Sequence, residues 1–131
     1  MKLTGSCITD GANVVLYWPE FLSPDFDRQM QEGDGISPIL RLQEKGRIIW
    51  FNCEGDGDYS SAFFIDEALP EELQTFCEEW ETIERLEVAA EGYFCGMEYM
   101  TADRSKVQRE LPHFYNRVPV PAGIYHATVY D

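Results

Sequence analysis

The chain has 131 residues, 44% of them hydrophobic, and 24 acids against 10 bases give a net charge of −14. That length suits one domain, residues 1–131, with a real core, and the hydrophobic content excludes a disordered chain. The acidity excludes a phosphate-neutralising nucleic-acid surface or an anionic-membrane surface, and no apolar run is long enough to span a bilayer.

No apolar stretch precedes Cys7, so the expectation is no export signal and a cytoplasmic protein. The four cysteines, Cys7, Cys53, Cys77 and Cys95, form no CxxC pair. Each sits in or beside an apolar segment, which predicts free thiols packed as small hydrophobes rather than a zinc site.

In chain order, Asn13–Trp18 follows the turn pair Asp10-Gly11 and stops at Pro19, which predicts a strand. Ser23-Pro24-Asp25 opens a short helical turn reaching Met30. Ile36–Leu42, after Gly33-Asp34-Gly35, reads as a strand that forms a hairpin through Lys45-Gly46 with Arg47–Cys53. The turn Glu54-Gly55-Asp56-Gly57-Asp58 leads into Tyr59–Ile65, completing a meander of three strands. Next comes the expected amphipathic helix, about residues 70–84. Leu69, Leu73, Phe76, Cys77, Trp80 and Ile83 recur at helical spacing, with Pro70 in the first turn.

Arg85–Ala90 then alternates, Glu91-Gly92 turns, and Tyr93–Met100 returns. Thr101–Leu111 reads as a polar connection with one helical turn. The prolines of Arg117–Pro121 confine that stretch to a sheet edge, and Ile124–Tyr130 is the last strand. The predicted fold is mainly β: a two-layer antiparallel β-sandwich with one amphipathic helix and short helical turns.

In the C-terminal third, the carriers of a resemblance are Arg85–Ala90, Gly92–Tyr99 and Val120-Pro121-Ala122-Gly123-Ile124-Tyr125. This order of strand, glycine turn, strand, long connection and Pro-x-Gly-x-Tyr strand resembles the competence protein J type of nuclease inhibitor. Residues 1–84 show no such match. The resemblance implies a small acidic β-sandwich that binds a partner, and it assigns no functional residue here.

The charge is unevenly placed. Ile48–Glu84, 37 residues, holds 11 acids and no base, while the other 94 residues hold 13 acids and 10 bases. On the expected helix, Glu71 and Glu72 stand at the end the dipole favours, and Glu78, Glu79, Glu81 and Glu84 at the end it disfavours. Glu78–Glu81 and Glu81–Glu84 are like charges at i,i+3, each costing roughly 0.2–0.5 kcal/mol. Two readings stand: solvated charge that keeps an aromatic-rich chain in solution, or a face that meets a basic partner. On the second, the working residues are those six glutamates with Asp56 and Asp58 at the neighbouring turn. The chain is then a non-enzymatic acidic binding protein, an inhibitor or immunity-type partner of a basic protein such as a nuclease.

Other chemistry finds less support. The turn at residues 54–58 fails as a calcium loop, because Tyr59 stands where glycine is needed and Ile65 where a bidentate glutamate is needed. No cofactor motif is present. A hydrolase would have to use His113, in a loop, or His126, on the last strand, with no nucleophile elbow or HExxH to accompany either. A small-ligand or carbohydrate-binding sandwich is a further alternative, although Trp18, Trp50 and Trp80 lie in apolar patterns that predict core.

Overall fold

The computed structural model describes residues 1–33 and 36–131, so part of the turn expected at residues 33–35 lies outside the described residues. Among the described residues there are eight strands: β1 (Lys2–Thr9), β2 (Asn13–Tyr17), β3 (Ile48–Asn52), β4 (Gly57–Phe64), β5 (Glu79–Val88), β6 (Tyr93–Gly96), β7 (Tyr115–Arg117) and β8 (Gly123–Tyr130). The helices are α1 (Phe26–Glu32), α2 (Ser37–Glu44), the single turn α3 (Glu71–Gln74) and α4 (Arg104–Arg109), with 3-10 turns at Pro19–Phe21 and Met97–Tyr99.

All strand pairing is antiparallel. One sheet has the order β3-β2-β6-β7, and two ribbons, β1-β4 and β5-β8, form the second β layer. Period-two alternation decides what each face of the four-stranded sheet covers. Val14, Leu16 and Phe94 point towards the ribbons and join Cys7, Trp18, Leu86, Val88, Val118 and Val120 in one buried cluster. Val15, Tyr17, Ile48, Tyr93, Cys95 and Tyr115 point the other way, onto Phe26 of α1, Ile39 and Leu42 of α2 and Val107 of α4. The fold is therefore mainly β, a sandwich of two β layers, with helices covering the outer face of one.

Several elements differ from the sequence expectation: β1, over Lys2–Thr9, and β7, over Tyr115–Arg117, are strands beyond the expected ones, and two further segments change type. Ile36–Leu42 is not a strand: Ser37-Pro38 opens α2, and Ile39 and Leu42, three apart, face the core. The expected meander consequently dissolves, since β3 pairs with β2 and β4 pairs with β1. The helix expected over 70–84 is also absent. Only residues 71–74 are helical, and residues 79–88 form β5.

The physical reason lies in the register of β5 on β8. It shifts between Glu79 and Glu81 and again between Ile83 and Leu86, each shift inserting one extra residue. Each bulge turns a spacing of two into three, so a twice-bulged strand carries inward residues, Ile83 and Leu86, at a separation that mimics a helix. The like-charge repulsion noted on the expected helix favours the same outcome.

Candidate functional site

Glu71 and Glu72 are exposed on the first turn of α3. The chain then turns, and Glu78 exchanges both backbone hydrogen bonds with Asp131, at 2.8 and 2.9 Å. Glu79 is exposed opposite Tyr130, and Glu81 is half-buried opposite Val129. Asp131 lies close enough to Cys53 to help raise its thiol pKa, after burial. Asp131 and Trp80 thus lie beside Cys53 and Phe51, which lead into the turn that carries Asp56 and Asp58, both exposed. Glu84 stands further along the ribbon, exposed at the second bulge beside Arg85.

None of these eight acids enters an ion pair among the described residues. The pairs present join the N-terminal amine to Glu67, Arg28 to Asp25 and Glu32, and Arg47 to Glu87. The negative field of this end is therefore not neutralised from within the described chain.

The apolar residues beside those acids are the part that sequence reasoning missed. A continuous helix would have turned Leu73, Phe76 and Trp80 onto a common buried stripe. Instead Phe76 is 83% exposed and Trp80 44% exposed, and Leu73 and Tyr130 are exposed as well. Trp80, at the first bulge, rests one edge on Phe51, with ring centroids 4.8 Å apart at 60°. The expectation that Trp80 is core is thus corrected; Trp18 is buried and Trp50 half-buried. The available signal was the interleaving Glu79-Trp80-Glu81, which alternates like a strand.

The histidines stand apart from this end and from each other. His126 is exposed on the outer face of β8, opposite the bulged Glu84–Arg85, and His113 is exposed with its ring against Phe114. Among the described residues neither is hydrogen-bonded to a carboxylate. The thiols of Cys7, Cys53 and Cys95 are buried. Burial, reinforced by the neighbouring Cys53, Glu98 and Asp58, pushes Cys7 up to about 12, and burial likewise raises Cys95. Such thiols stay protonated and unreactive at neutral pH. A shallow cavity of about 490 Å³ is lined by Thr4, Ser6, Ser60, Ser61 and Asn116, which bring no charge. No group of side chains with metal-ligand geometry occurs among the described residues, and no helix among them is long and apolar enough to cross a membrane.

No family model matches this chain, and no curated protein matches it. Among solved structures, a protein named crocagin biosynthetic gene J is similar over 98% of this chain and 76% of its own length, with a TM-score of 0.60. Sequence identity is 12%, so the likeness is one of fold.

Proposed function

We propose that this chain is an acidic binding domain for a basic protein, with its seat at the end formed by residues 71–81, the 54–58 turn and Asp131. One observation carries the reading: Phe76 and Trp80 stand exposed among acids that have no ion-pair partner among the described residues. Exposed aromatics inside a charged rim are the usual anatomy of a protein-binding patch, the rings supplying affinity and the rim supplying steering. Leaving Phe76 in water has a free-energy cost that a solubilising surface would not incur. An inhibitor or immunity-type role towards a basic enzyme such as a nuclease is the form of this reading that fits the net charge of −14.

The test is capture from the source lysate at low salt on two immobilised baits. One is the native protein; the other carries Glu78, Glu79, Glu81 and Glu84 changed to Gln. The proposal requires a basic protein held by the native bait, lost from the variant and released by salt, since exposed charges are screened beyond roughly 8 Å at physiological ionic strength. A protein held equally by both baits, or indifferent to salt, overturns it.

A further inference from the structure

Strand β8 is anomalous for so charged a chain. Its eight residues include no buried one and no charged one, and among the described residues it pairs with β5 alone. The side of β8 that is open can be read from the ladder. Glu78 and Asp131 exchange both their backbone bonds, so odd-numbered residues of β8 face β5 and alternate ones face away. The opposite edge of the ribbon agrees, because Glu87, opposite Ile124, gives its N–H to Gly46 O and not to β8. The N–H and C=O groups of Ile124, His126, Thr128 and Tyr130 therefore point to an edge where no strand of the described residues pairs.

Two other edges in this layer are guarded, while the outer edge of β4, like that of β8, pairs with no strand of the described residues. β5 carries two bulges and four glutamates and bonds to Gly46, and Ser6 of β1 gives its N–H to Asn116 Oδ1 at 3.2 Å. β8 has no bulge, lysine or proline of the kind that natural edges use against pairing. Its outer face instead shows Ile124, 52% exposed, and Tyr130, 42% exposed.

We infer that the open edge of β8 takes an extended segment of the basic partner as an added strand. The inference rests on the reading of the acidic end as the seat of a basic partner. Charge selects the occupant. The edge itself is uncharged, yet Glu79, which has no ion-pair partner among the described residues, stands one strand behind it, opposite Tyr130, about 5 Å away across the ladder. A second copy would bring another charge of −14 to that field, whereas a cationic strand is drawn in. A lysine or arginine stem would lie on Tyr130, with its head directed to Glu79, while a neighbouring stem covers Ile124. The intervening side chains would continue the inner face of Tyr125, Ala127 and Val129.

Two capped synthetic peptides test this: one alternating lysine with valine, the other of equal charge with prolines in place of its central valines. Backbone amide signals of the labelled protein report the site. The alternating peptide should bind about tenfold more tightly, the worth of one or two net backbone hydrogen bonds, and slow amide exchange at Ile124, His126, Thr128 and Tyr130. Thr128→Pro, which removes an outward N–H only, should abolish the preference between peptides. His126→Lys, which leaves the backbone intact and repels a cationic strand, should weaken it too. Equal binding of both peptides, with those amides unchanged, overturns the strand addition and leaves the acidic seat standing. Failure of both peptides to bind at low salt overturns the acidic seat as well. Amides already protected in the free protein, increasingly so with its concentration, would assign the edge to a second copy and overturn the inference.

Discussion

Gly46 sits at φ +67°, and a Cβ added there would lie 2.1 Å from the backbone oxygen of Arg85. A flexible side chain could move aside, but a backbone carbonyl of β5 cannot without dragging the strand. The same glycine accepts the Glu87 N–H at 2.7 Å, and Arg47 next to it bonds Glu87 Oε2 at 2.9 Å with its guanidinium over the Phe21 ring. This two-residue joint attaches the β5-β8 ribbon to the sheet and to the α2 connection. Gly46→Ala should therefore lower stability by about 2–4 kcal/mol, combining a left-handed backbone with a direct clash. Gly55→Ala is the control, since nothing lies within 4 Å of a Cβ there. Denaturant midpoints of the two variants, measured side by side, check this; equal midpoints would deny the joint.

At the scale of elements, the ribbon makes a prediction that depends on the parity of one strand. Residue 127 of β8 directs its N–H to β5 and residue 128 directs its N–H outward, by the alternation that the Glu78–Asp131 pair fixes. Ala127→Pro should then break the ladder and cost about 2–4 kcal/mol, whereas Thr128→Pro, with its missing donor on the open edge, should be close to neutral. Thermal melts of both variants decide it, and the reverse order would mean that the open edge is assigned wrongly. This ribbon is also where the sequence was hardest to read. Strands β2, β3, β4 and β8 follow from short runs rich in β-branched and aromatic residues between glycine or proline turns, because one local rule governs each. β5 obeys period two only between its bulges, and those are set by what β8 demands across the ladder, which no local window contains. α2 was obscured differently: Ile39 and Leu42 are spaced for a helix, but Leu40 and Leu42 flank Arg41 as a strand would, so the short run fits either period. The acidic residues were legible as a patch because charge density needs no fold. Their aromatic companions were not, since exposure of Phe76 and Trp80 follows only from losing the helix.

For the whole molecule, the question is what a net charge of −14 does when 11 acids crowd into 37 residues without a base. Self-repulsion of this kind works against the compact state, and it is concentrated in the segment from residue 48 to residue 84. If those acids served folding, neutralising them would reduce stability; if they serve a partner, neutralising them should relieve strain. Because none of the eight forms an ion pair among the described residues, removing their charge deletes no attraction in that part of the chain. The variant with Glu78, Glu79, Glu81 and Glu84 changed to Gln should therefore be more stable than the native protein at low salt, each site contributing about 0.5 kcal/mol or less. Added salt screens the same repulsion, so the advantage should shrink as ionic strength rises and the Debye length falls to roughly 3 Å at 1 M. Thermal midpoints of both proteins across a salt series measure this directly. A variant less stable than the native chain at every salt concentration would show that the glutamates hold the ribbon together, and the acidic end would then belong to the fold rather than to a partner. A variant that gains stability while losing its basic ligand would place the two on opposite sides of one balance: charge kept at a cost to folding because binding needs it.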